Sequence, residues 1–208
     1  MDLILNGVPR SIDASECANL AELVVAAERL DAGGGHVVTG VEIDGERLTP
    51  EELGTLEDRS LDGIGKIEIE RRPTLEVARS VLRQGADYAD RIVAAIGETV
   101  GHYRSGRSDL ANELLAEVTD SMTVLTGITY SVSAVLVEES KALARLQGEI
   151  FPWLEEMIGA QTDEDPLRIG DLLEYEIAPR ILAWGEMMRN YDAGAPVTPG
   201  QDEERVSN

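Results

Sequence analysis

At Thr74 the hydrophobic period of this chain changes, and that change limits the architectures open to it. Before Thr74, short apolar stretches alternate with polar residues and turn pairs. After it, Leu75, Ala78, Leu82, Ala86, Ala89, Val93, Ile96 and Val100 recur every three or four residues, the spacing of one helix face. A stripe about seven turns long needs other helices to cover it. The spacing therefore predicts two parts, a small strand-containing one and a helical one, joined at Arg71-Arg72-Pro73-Thr74. Aromatic residues make up only 4% of the chain, so the core must be built from Leu, Ile, Val and Ala, which suits helix packing.

In the first part, Leu3 to Leu5 runs into Asn6-Gly7, a strong hairpin signal, with a second strand at about Val8 to Ile12. Asn19 to Ala27 carries apolar residues at helical spacing, and Gly33-Gly34-Gly35 ends that helix. Val37 to Ile43 reads as a strand with Val37, Val41 and Ile43 on one face, turned back at Asp44-Gly45. Thr49-Pro50-Glu51-Glu52 is a helix start with its cap and first-turn proline. Ile67 and Ile69 alternate with Lys66, Glu68 and Glu70 in a half-buried last strand.

In the second part, Ser105-Gly106 breaks the long helix, and Ser108 or Asp109 can cap a second helix with Leu110, Leu114, Val118, Met122 and Leu125 on its apolar side. Gly127 to Val137 is β-branched and serine-rich and fits neither helix nor strand decisively. Pro152 suits the first turn of a helix through Trp153, Leu154 and Ile158, and Asp163-Glu164-Asp165-Pro166 opens a final one. That helix carries Ile169, Leu172, Leu173, Ile177, Ile181, Trp184 and Met188, with Pro179 inside it predicting a kink near Tyr175. The polar segment from Asp192 to Asn208 predicts disorder.

The charge excludes some functions. There are 40 acidic and 18 basic residues, a net charge of −22. Residues 1–73 hold 16 acidic and 7 basic side chains and residues 74–191 hold 20 and 10, so no basic stripe is available for nucleic acid or anionic lipid. The acidity suits either a basic partner or simple solubility. No apolar run approaches the length that crosses a membrane, and the N-terminus lacks a basic stretch followed by an apolar one. With Cys17 as the one cysteine, the expected location is the cytoplasm and the expected role of Cys17 is packing.

No constellation of residues points to catalysis, and the expectation is a protein without catalytic residues, cofactor or metal. Cys17 and His36 flank one helix without a motif to unite them, and neither a phosphate loop nor a nucleophile elbow occurs. Glu98 and His102, at i and i+4, are the weak candidates for a metal, with Glu117, Glu174 and Glu176 as further oxygen donors. The same spacing serves an ordinary helix-surface hydrogen bond. Trp153, Glu174, Tyr175, Trp184, Met187 and Met188 are the candidates for a partner-binding surface, since aromatic and methionine side chains make adaptable contacts when exposed.

The order strand, strand, helix, strand, strand, short helix, strand over residues 1–72 resembles the β-grasp fold of ubiquitin-like and sulfur-carrier proteins. Those act through a free C-terminal diglycine, whereas this strand ends in Glu70-Arg71-Arg72-Pro73 and the chain continues. The resemblance therefore implies docking rather than conjugation. The long helix, the break at Arg104-Ser105-Gly106-Arg107-Ser108 and the following Asp109-Leu110-Ala111-Asn112-Glu113-Leu114-Leu115 are similar to the antiparallel bundle of bacterial flagellar export chaperones of the FliS kind. That similarity implies a helical surface that holds an amphipathic segment of another protein. The predicted class is α+β: a β-grasp-like domain over 1–72, a mainly antiparallel helical bundle over 74–191 and a disordered tail over 192–208. The expected function is a non-enzymatic adaptor or chaperone-like protein. A homo-oligomer pairing through the Leu75 to Val100 stripe is the alternative, and a metal-binding helical protein a more distant one.

Overall fold

In the computed structural model, which describes residues 1–11, 17–30 and 35–192, the chain divides into two compact units, Met1–Val77 and Ala78–Asn208. The protein is of the α+β class. The expectations for the glycines at 33 and 34 and for the tail beyond Asp192 lie outside the described residues.

The first unit holds a five-stranded sheet: β1 (Asp2–Leu5), β2 (Val8–Arg10), β3 (His36–Ile43), β4 (Glu46–Arg47) and β5 (Lys66–Pro73), in the order β2-β1-β5-β3-β4. β1 and β5 run parallel and the other neighbours antiparallel. Both hairpins turn on a residue pair with positive φ, Asn6-Gly7 and Asp44-Gly45, the backbone that matches the twist of the flanking strands. Helix α1 (Leu20–Arg29), capped by Asn19, lays Leu20, Leu23, Val24 and Ala27 against Leu3, Leu5, Val41, Ile43, Ile67 and Ile69. The short α2 (Pro50–Leu53) begins with a capping box between Thr49 and Glu52.

One detail of β3 departs from the sequence reading. Its pairing with β5 shifts between Val38 and Gly40, so one extra residue enters the strand and reverses its alternation. Val38, rather than Val37, packs against the core beside Val41 and Ile43.

Arg71 shows the reverse, a charge where alternation places a core residue. It continues the inward series Ile67, Ile69 and is only 7% exposed. Its Nη1 donates to the carbonyls of Ala27 (2.9 Å) and Leu30 (2.5 Å) at the end of α1. Helix ends leave carbonyls without intrahelical donors, and a cation there also complements the helix dipole. Asn6 holds the backbone of Arg71 from the other side, accepting from its N–H at 2.7 Å and donating to its carbonyl at 3.0 Å.

The second unit contains α3 (Thr74–Arg104, whose first turn belongs to the first unit), α4 (Ser108–Val132), α5 (Val137–Gly148), α6 (Phe151–Thr162), α7 (Pro166–Asp171) and α8 (Ala178–Asp192). Between α7 and α8, Leu172–Ile177 forms a π-helical turn, closed by the Ala178 N–H donating to the Leu173 carbonyl. Gly106, with φ of 74°, turns the chain between α3 and α4. Contrary to the expected cap, Arg107 occupies the N-cap of α4 and contributes no side-chain cap, while Asp109 lies within the first turn. The ambiguous stretch after Gly127 is helical through Val132. Burial of Leu125, Thr129 and Val132 overrides the weak helix preference of β-branched residues.

The rod formed by α7, the π turn and α8 runs antiparallel to α3. Arg104 pairs with Glu174, a Cβ on Gly170 would meet Val100 at 4.0 Å, and Asp90 pairs with Arg189. The two helices approach closely at Gly185, where a Cβ would lie 2.8 Å from that of Ala89. Such contact needs residues as small as Gly185, Ala86 and Ala89. Most of the stripe from Leu75 to Val100 is consumed here: Ala78, Leu82, Ala86, Ala89, Ile96 and Val100 are buried in this unit's core beside Ile92, Val93 packs against it, and Leu75 at the start is 45% exposed. Pairing of two copies through that stripe is thereby corrected.

The kink expected before Pro179 takes the form of the π turn. A proline has no N–H to offer the carbonyl one turn back and its ring crowds that carbonyl. A wider turn relieves both, and it does so at Leu172–Ile177, directly ahead of the proline.

Candidate functional site

The surface where α6 meets α7 and the π turn forms an open groove of about 480 Å³, lined by Trp153, Asp165, Leu167, Arg168, Asp171, Leu172, Tyr175 and Glu176. It arises from local sequence. Asp165 caps α7 by accepting from the Arg168 N–H at 3.0 Å, and Pro166 begins the helix. This start leaves Leu167 outside the buried series Ile169, Leu173, Ile177, Ile181, and it is 67% exposed. The π turn directs Leu173 and Ile177 inward and leaves Tyr175 61% exposed. Trp153, half-buried on the first turn of α6, supplies the floor.

Charged groups hold the groove in shape. The Arg180 guanidinium lies 4.8 Å from the Trp153 ring centroid and donates to the Glu176 carboxylate at 2.9 Å, a cation–π contact fixed by a helical ion pair. Arg168 pairs with Glu156 and Asp163. Arg104 grips Glu174 in a two-pronged bond. That bond, with a further hydrogen bond from Tyr175, holds the Glu174 carboxyl below its ordinary pKa and raises that of Arg104. Among the residues that line the groove, the carboxylates of Asp165, Asp171 and Glu176 outnumber the one guanidinium of Arg168, so its rim is acidic. The groove thus sets two exposed apolar side chains, Leu167 and Tyr175, among charges held in place by ion pairs.

The structure separates the sequence candidates. Trp153, Glu174 and Tyr175 come together at the groove and its edge. Trp184 and Met188 do not: they are 1% and 0% exposed in the helical core, which corrects their reading as contact residues. Met187 is partly buried against the same core. Leu167, Leu172 and Arg180 were missed. The signal for Leu167 was its place off the apolar series of its own helix, and for Arg180 its i+4 spacing from Glu176.

Glu98 and His102 are neighbours only loosely, with 3.9 Å between Oε1 and Nε2 and the Glu98 side chain 67% exposed. Glu174 and Glu176 are taken up by Arg104 and Arg180, and Glu117 is exposed on another helix. Among the described residues no three His, Cys, Asp or Glu side chains converge on a common point. No helix among them is long and apolar enough to cross a membrane.

Fold and groove together define an α+β protein with an acidic, apolar-floored groove in its helical unit. The chain belongs to the DUF8042 family, whose model, described as a domain of unknown function, matches residues 80–187. That range takes in the groove and most of the helical unit. An uncharacterized protein of Treponema pallidum (strain Nichols) is 27% identical over 202 residues, covering 93% of this chain and 99% of that one. No solved structure matches the chain.

Proposed function

We propose that this protein is a non-enzymatic adaptor or chaperone-like protein of the cytoplasm that holds an amphipathic, basic segment of a partner protein in the α6–α7 groove. The observation that carries the reading is the exposure of Leu167 and Tyr175 over Trp153, inside a rim where carboxylates exceed guanidiniums. Apolar side chains of the partner segment would pack on these three residues while its Lys or Arg meet Asp165 and Asp171. Complementary charge speeds encounter and sets register, and the apolar anchors supply most of the affinity.

The first unit would dock separately. Its sheet order, with the parallel β1–β5 pair at the centre, supports the β-grasp reading. The face of the sheet away from α1 carries Glu42, Arg47, Glu68 and Glu70, so recognition there would rest on charge rather than on an apolar patch.

Affinity capture with the full chain tests the groove. The wild type is expected to retain one protein in near-stoichiometric amount at about 50 mM salt, and to retain it in reduced yield at about 500 mM, where screening falls within a few ångströms and only the apolar anchors hold. Leu167→Glu, at a position too exposed to disturb folding, is expected to lose it at either salt. Capture of the same proteins by wild type and Leu167→Glu would overturn the reading.

A further inference from the structure

The longest stretch of the chain without Asp, Glu, Lys or Arg is Ser121 to Val137, and most of it forms the second half of α4. Its outward face consists of Thr123, Val124, Gly127, Tyr130 and Ser131, spaced three and four apart. Val124 is 51% exposed and Tyr130 80%. Apart from the Tyr130 phenol, which can stay at the edge of a contact, the hydroxyls on and beside this face are satisfied by the helix itself. Thr123 Oγ1 donates to the Thr119 carbonyl at 3.2 Å, Ser131 Oγ to Ile128 at 2.7 Å and Ser133 Oγ to Tyr130 at 2.7 Å. Covering the face would therefore strand few polar groups, the main cost of burying a helix surface.

We propose that this face of α4 binds a second copy of the same chain. Charge decides the occupant. Each copy carries −22, and acid outnumbers base about two to one in both units, so two copies repel wherever charged surfaces meet. A basic partner is served by acidic surface such as the groove rim; a face stripped of charge is what a like-charged copy requires. The pairing would be isologous, each helix crossing its symmetry mate near Gly127. A side-chain carbon added at Gly127 would meet nothing within 4 Å, which leaves a shallow seat for the Tyr130 ring of the other copy. The face spans about three turns, less than the roughly 800 Å² per partner of a standard interface. The dimer is therefore weak and governed by salt, and its salt dependence is opposite in sign to that of the groove.

Sedimentation equilibrium of the full chain at roughly 200 μM tests this, since lowering the Debye length from about 14 Å to about 4 Å removes most repulsion between copies. The dimer fraction is expected to rise at least severalfold from low to high salt. Val124→Asp should remain monomeric throughout, with an unchanged circular dichroism spectrum. Gly127→Cys in a Cys17→Ser background should form an intermolecular disulfide under mild oxidation, and Leu110→Cys in the same background should not. A chain monomeric at high salt would overturn the proposal and leave the face to a different protein. A dimer unaffected by Val124→Asp, or a Gly127→Cys protein that does not cross-link, would overturn it equally.

Discussion

Trp184→Ala is expected to lower the stability of the helical unit by about 3 to 5 kcal/mol, the cost of removing a large aromatic side chain from a packed core. Trp184 is 1% exposed, next to the tight contact between Gly185 and Ala89, so neighbouring backbone cannot close the cavity. The indole Nε1 has no hydrogen-bond partner among the described residues. Trp184→Phe should therefore cost far less, about 1 to 1.5 kcal/mol, because it deletes volume without breaking a polar contact. Urea unfolding followed at 222 nm measures both. A Trp184→Ala protein of wild-type stability would return Trp184 to the surface role that its residue type suggested. The groove tryptophan supplies the contrast, since Trp153 is only half-buried and its replacement should affect binding more than stability.

Arg71→Ala is expected to loosen the first unit by about 2 to 4 kcal/mol. A charged hydrogen bond is worth about 1.5 to 3 kcal/mol, and buried groups left unpaired add their own desolvation cost. The alanine would strand the carbonyls of Ala27 and Leu30 beneath the sheet. Arg71→Lys should fall between the two, because a single ammonium cannot reproduce the spread of the guanidinium. Hydrogen exchange of the full chain reads the effect directly, with the amides of Ile67 and Ile69 exchanging roughly 30- to several-hundred-fold faster. Unchanged exchange there would show that Arg71 is incidental to the sheet and α1.

Much of the fold was legible because the signals are local. The turn pairs Asn6-Gly7 and Asp44-Gly45, the Thr49 capping box, the proline at the start of α7 and the stripe of α3 each act within a few residues. What escaped depended on distant partners. The register shift at Val38 depends on how β3 pairs with β5, and the burial of Arg71 on where α1 ends. The π turn left a trace that periodicity shows in retrospect. Ile169, Leu173, Ile177 and Ile181 are each four apart and all buried. In an α-helix every step of four overshoots the turn by about 40°, so this series stays on one face only if the helix widens, as it does at Leu172–Ile177.

The candidate site was half legible for the same reason. Residue type singled out Trp153, Tyr175, Trp184 and Met188 alike, but only packing decides which of them face solvent. Trp184 falls on the contact with α3 and Tyr175 falls outside it. Leu167 and Arg180, ordinary by type, acquire their place from the α7 cap and from the turn of helix that sets Arg180 over Trp153.

The central claim, a partner segment in the groove, is tested most directly by a photo-cross-linking amino acid placed at Tyr175 of the full chain in living cells. The account predicts one discrete adduct with another protein, lost when Leu167→Glu is added and absent when the cross-linker replaces the comparably exposed Val137 on α5. Adducts of the same pattern from both positions, or none from Tyr175, would contradict it.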